Sequence, residues 1–171
     1  MTAAPRPIAP GSADGHRRGR LFSYRHQFEV EAPLAAVAGF HARSESMGAI
    51  TPPGIVVRVH QAPPILGEGD EMRFTLRLGG VLPVRWVARI SDVSDSGFVD
   101  TQLQGPFDFW RHEHRFVAEG PHRTRVYDHV EARLRRHWLW TAVGLAMWMG
   151  MPLLFAYRAF ITRRLLRGRT A

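Results

Sequence analysis

The 171-residue chain contains no cysteine, which excludes disulfides, thiolate metal sites and a cysteine nucleophile. It also lacks lysine: all 23 basic residues are arginine, so Schiff-base chemistry is excluded as well. There is no glycine-rich phosphate loop, because Gly67-x-Gly69 and Gly79-Gly80 fall in turns between strand-like stretches. Ser44 and Ser46 sit at a helix end, without the strand–turn–helix setting of an activated serine. The first twenty residues lack the apolar core of a secretory signal, so export by that route is not expected. A basic helix or stripe is missing too. The net charge of +8 is scattered along the chain, and a nucleic-acid partner is not expected.

What is present reads as one globular domain with a short tail. Apolar residues make up 45% and aromatics 11% of the chain, a composition that supports a packed core at this length. Residues 1–20 combine Pro5, Pro7, Pro10, Gly11, Gly15 and Gly19 with His16, Arg17, Arg18 and Arg20, which predicts a flexible basic tail ahead of a domain over 21–167. Alternation of apolar and polar residues predicts a strand over Leu21–Glu31. Pro33 then opens a helix expected to run to about Met47, before the Thr51-Pro52-Pro53-Gly54 stop. A short strand over Ile55–His60 follows. Two half-buried strands carry Met72, Phe74, Leu76 and Leu78, and then Val84, Trp86, Ala88 and Ile90, joined at Gly79-Gly80. Turns at Ser96-Gly97 and Gly105-Pro106 set off strands Phe98–Gln104 and Phe107–Val117, and a last strand covers about Thr124–Ala132. One long apolar helix completes the chain. The expected class is α+β, an antiparallel sheet packed on helices.

The most informative stretch runs from Phe98 to Phe116. On the strand after Gly105-Pro106, Trp110, His112, His114 and Phe116 point one way, and the aromatic ends mark that side as buried. Asp100, Gln102 and Gln104 share a face of the preceding strand, and Asp128 lies in register on the last one. A face holding Asp100, Gln102, Gln104, His112, His114 and Asp128 is unusually polar for a core, and buried polar groups need partners. Two readings stand. The first is an internal network bracing the sheet, each carboxylate fixing a histidine. The second is the polar end of a cavity that orients an otherwise apolar guest, with Phe74, Trp86, Phe107, Trp110, Phe116 and Met147 as its apolar lining. His-x-His on a strand puts two imidazoles on one side, and Asp128 or Asp100 could complete a three-ligand metal set; that spacing is common by chance, and neither metal nor cofactor is expected.

The run FVDTQLQGPFDFWRHEHRF followed by YDHV resembles the ligand-binding branch of the SRPBCC superfamily, which includes START, Bet v 1-like and polyketide cyclase/dehydratase domains. The upstream FHARSESMGAITPP and the late LFAYR are similar to the same branch, and the likeness covers about residues 21–166. It implies a helix-grip fold, in which about seven antiparallel strands curl around a long C-terminal helix and leave a cavity. It also implies binding or transfer of lipid, polyketide or quinone-type molecules, with cyclisation or dehydration in some members.

Trp138–Tyr157 is twenty residues without a charge, long enough to span a bilayer. Arginines flank it on both sides and do not orient it. The expectation is a gripped helix whose outer face meets a membrane surface or a second subunit, with a true membrane anchor as the alternative. The functional expectation is a cytoplasmic, membrane-touching carrier of a hydrophobic small molecule. A cyclase- or dehydratase-like enzyme using His112, His114 and Asp128 is its alternative.

Overall fold

The computed structural model describes residues 19–167; the expected tail over 1–20 lies almost entirely outside the described residues. Strands form where the sequence alternates. They are β1 (Leu21–Val30), β2 (Ile55–Gln61), β3 (Glu71–Leu78), β4 (Leu82–Ser94), β5 (Gly97–Gln104), β6 (Phe107–Gly120) and β7 (Arg123–Leu134). All pairings are antiparallel, in the order β1-β7-β6-β5-β4-β3-β2. The first strand therefore pairs with the last. The segment between β1 and β2 must cross from one edge of the sheet to the other.

That crossing carries α1 (Leu34–His41) and α2 (Ser46–Ala49). The single helix expected to reach Met47 ends at His41 instead. The reason is local: Ala42 O accepts from Leu66 N at 2.8 Å and Pro64 O accepts from Ser44 N at 3.2 Å, so the 63–66 loop takes hydrogen bonds that a continuing helix would need. The side chain of His41 consequently ends the helix on its inner side, stacked on Phe116 at 5.1 Å between centroids.

The long C-terminal helix is two helices, α3 (Trp138–Met149) and α4 (Met151–Leu166), bent by 46°. Pro152 explains the break, since it lacks an N–H and its ring collides with the carbonyl four residues back. Among the described residues no single helix is long and apolar enough to cross a membrane, although the bent pair together passes by length and composition. On α4, Met151, Phe155, Ala159, Thr162 and Leu166 recur every three or four residues and are buried against the sheet. Arg163 Nε donates to Glu29 O at 2.9 Å and ties the far end of α4 to β1.

The core splits into two clusters on the inner sheet face. One gathers Trp86, Trp110, Phe107, Phe74 and Phe155, with Trp86 edge-on to Trp110 at 5.3 Å and stacked on Phe74 at 6.0 Å. The other gathers Phe28, Val37, Phe116 and Val126 beneath α1 and the end of α4. The polar site lies where the two meet.

Candidate functional site

The sheet and the α3–α4 pair enclose a cavity of about 400 Å³. Its apolar wall comes from Leu66, Met72, Phe74, Leu76, Trp86 and Trp110 on the sheet side and Met147, Met151, Leu154 and Phe155 on the helices. Its polar groups are Asp100, His112 and His114 on β5 and β6, His41, Arg43, Ser44, Ser46 and Thr51 from the crossing segment, and Arg158 from α4. Of the residues expected to line a cavity, Asp100, His112, His114, Phe74, Trp86, Trp110 and Met147 do so.

Five do not. Asp128 lies behind the histidines. Phe107 and Phe116 are fully buried in the packing on either side. Gln104 is exposed at the end of β5, beyond a register shift in the β4–β5 ladder. Gln102 serves the turn instead, its amide nitrogen donating to Phe107 O at 2.8 Å and its carbonyl accepting from Phe107 N at 3.4 Å. Alternation assigns faces correctly within a ladder, but it fails at a strand end where turn hydrogen bonds decide the side chain's direction.

Register alone assembles the charged cluster. Asp100 pairs directly with His112, and His114 directly with Asp128, on three neighbouring strands. Diagonal contacts close the square. His112 Nε2 lies 3.0 Å from Asp128 Oδ1 and its Nδ1 lies 3.2 Å from Asp100 Oδ2. His114 Nε2 lies 3.4 Å from Asp100 Oδ2 and its Nδ1 lies 3.2 Å from Asp128 Oδ1. The two imidazole centroids are 3.8 Å apart. His114 also stacks on Phe98 at 4.5 Å. The backbone beneath it requires Gly97, where a Cβ would meet His114 O at 2.0 Å at a φ of +151°.

An imidazole with both nitrogens against carboxylates holds both protons. Burial pushes His112 down, but its hydrogen bonds to Asp100 and Asp128 outweigh this and raise its pKa. Burial likewise pushes Asp100 and Asp128 up, yet the hydrogen bonds and charge of the two histidines hold both well below the usual carboxylate range. Asp100, His112 and His114 bring ligand atoms within 4.8 Å of one another, a spacing compatible with a cation. Metal ligation would require His112 to release a proton that both carboxylates stabilise.

Two cavity groups were not singled out as site residues from the sequence. His41 is half-buried, and its buried Nε2 has no hydrogen-bond partner among the described residues. Burial, reinforced by repulsion from His114, lowers its pKa to about 3, so it is a neutral imidazole at neutral pH. Arg158 sits over the Phe155 ring at 5.4 Å, and its buried Nε also lacks a partner. Burial lowers its pKa against the opposing pull of Asp128 and Asp100. A sequence signal for Arg158 exists: Met147, Met151, Leu154, Phe155 and Arg158 recur as one helical stripe, of which Arg158 is the polar end.

A seven-stranded antiparallel sheet closed by C-terminal helices over a cavity is a helix-grip architecture, and solved structures share it. Norcoclaurine synthase from Thalictrum flavum, in complex with dopamine and hydroxybenzaldehyde, superposes with a TM-score of 0.66 at 12% identity, covering 99% of this chain and 100% of that one. The Zhui aromatase/cyclase from Streptomyces gives 0.64 at 16% identity, covering 89% and 100%. A START superfamily protein from Mycobacterium smegmatis gives 0.61 at 11% identity, covering 86% and 99%. No family model and no curated protein sequence matches the chain. The chain has the Bet v 1-like helix-grip fold that these structures share.

Proposed function

We propose that this protein binds and carries a hydrophobic small molecule of lipid, polyketide or quinone type in the cavity between the sheet and α3–α4. The observation that carries this reading is the cavity itself: about 400 Å³, lined largely by aliphatic and aromatic side chains, with its charged groups gathered where β5, β6, α1 and α4 approach one another. Such a cavity suits a guest whose body is apolar and whose polar end faces the charged groups of its wall. Solvent extraction of the purified protein followed by mass spectrometry should recover a stoichiometric apolar compound. Ala88 lies on the cavity wall, and Ala88→Phe should fill the space and abolish its recovery. Equal recovery from a folded Ala88→Phe variant would defeat the proposal.

An enzymatic reading, proton transfer by His112 and His114 on a cyclising or dehydrating substrate with Asp128 behind them, rests on the same cluster. The carrier reading is preferred because both ring nitrogens of His112 lie against carboxylates, at 3.0 and 3.2 Å, which stabilise the protons that such chemistry would need to exchange.

We further propose that the domain is cytoplasmic and rests on a membrane surface. Trp138, Met149, Leu153 and Phe160 are exposed along α3 and α4, with Arg136, Arg164 and Arg167 nearby in sequence to meet anionic head groups. Flotation with phosphatidylglycerol vesicles, but not with phosphatidylcholine vesicles, is the expected result. Failure to float with either, combined with a stable dimer in solution, would instead assign the face to a second copy of the chain.

A further inference from the structure

We propose that the cavity selects guests bearing an anionic oxygen, a carboxylate or an ionised phenol or enol, and that Arg158 with His41 forms its seat. The inference rests on the carrier reading above and names the chemical class of guest. It starts from a charge count. Asp100 and Asp128 are the carboxylates beside the cavity, and each is engaged by two imidazole nitrogens at 3.0 to 3.4 Å. Arg158 forms no ion pair and no hydrogen bond with any described residue, although both carboxylates are close enough to influence it.

Other arginines with a buried, unpartnered Nε differ. Arg125 pairs with Glu29 and Glu119, and Arg133 lies 3.8 Å from Asp108. Arg158 alone among these three faces a cavity instead of a carboxylate. The half-buried Arg158 guanidinium has no carboxylate within ion-pair distance among the described residues, and its planar fork suits the two oxygens of a carboxylate.

His41 supplies the second half. Its unpartnered Nε2 opens on the same cavity, and its ring lies 6.0 Å from His114, beside the charged cluster. A neutral imidazole next to a guanidinium offers a donor to an oxygen without adding charge. An amine head group finds no free carboxylate in this arrangement and is repelled by Arg158. The internally paired cluster next door supplies shape and rigidity to the seat while leaving its charge uncancelled.

The test uses the full-length protein and N-phenyl-1-naphthylamine, a neutral fluorescent dye displaced by competing guests. Dodecanoate and dodecanol share a chain and differ in the head group. Dodecanoate should displace the dye about tenfold more effectively than dodecanol, the worth of one charge-assisted hydrogen bond. Arg158→Gln should remove that preference by weakening dodecanoate alone, and Arg158→Lys should restore part of it. Equal affinities in the unmodified protein, or a variant that loses both guests equally, would overturn the proposal and leave the carrier reading intact. Failure of the dye and both guests to bind would overturn both. The acid-against-alcohol comparison needs no variant, so the test survives a poorly folding substitution.

Discussion

Two sets of polar side chains share one cavity wall and are built on opposite terms. The Asp100–His112–His114–Asp128 square finds its partners within itself, each carboxylate facing two imidazole nitrogens. His41 and Arg158, a few ångströms away, have buried nitrogens with no partner among the described residues. A balanced network ties three strands together and asks nothing of a guest. An unbalanced one is stable only to the extent that the surrounding packing tolerates it, and a guest that satisfies it is held there. Under the proposals above, the choice between bracing and recognition, open from the sequence, divides between these two sets.

Breaking the balanced set should have the largest effect. Asp128→Ala leaves the His112 imidazolium half-paired in a site only 3% exposed. Removing one partner of a buried ion pair costs about 3–5 kcal/mol, because the other charge is stranded. Urea unfolding should show a loss of that size. A loss below about 1 kcal/mol would mean that the square does not brace the sheet.

The same contrast appears in pH dependence, with smaller effects. Asp100 and Asp128 have depressed values, so their stabilisation is complete above the ordinary carboxylate value of 3.8 and is lost as pH falls below it. His112 is raised, so its contribution is complete below its ordinary 6.5 and is lost as pH climbs through its folded value. His41 works the other way. Its folded value lies near 3 against 6.5 unfolded, so the unfolded chain takes up a proton first, and stability declines as pH falls from about 6.5 toward 3. His41→Leu should flatten that acid slope by roughly the protonation of one group, read from melting temperature between pH 6.5 and 4. An unchanged slope would mean that His41 is hydrated and protonated in the native state.

Much of this was legible in the chain and some was not, for identifiable reasons. All seven strands follow from alternation, and the His112–His114 pair follows from a two-residue step on a buried face. Asp128 was placed on the right face by register, though behind the cavity wall, because alternation reports the side of a sheet and not the depth. Gln102 was misread because Gly105 brings the turn against it: a Cβ there would lie 2.2 Å from Gln102 Oε1, so the glutamine amide fills the turn. His41 lies on the same helical face as Leu34, Val37 and Phe40, and the sequence does not report that this face meets the cavity beside His114. Arg158 read as the close of an apolar run. The bend at Pro152 carries it onto the cavity wall along the stripe from Met151.

The smallest effect is the most discriminating, because it should change sign. Burial disfavours the charged form of Arg158, and its Nε meets no acceptor among the described residues, so replacing it by a shape-filling apolar residue removes a penalty. Arg158→Met should therefore leave the unliganded protein as stable as before or more stable by about 1 kcal/mol, the sense seen when buried charges give way to hydrophobic residues of similar volume. Saturation with dodecanoate should invert that order. A guest at a hundred times its dissociation constant stabilises the native state by about 2.7 kcal/mol, and one bound tenfold more weakly gains about 1.4 kcal/mol less. Melting curves of the two proteins should cross as dodecanoate is added and keep their order as dodecanol is added. A variant less stable than the parent at every concentration of both guests would show that Arg158 belongs with the bracing square, through contacts to its carboxylates, and not with the seat.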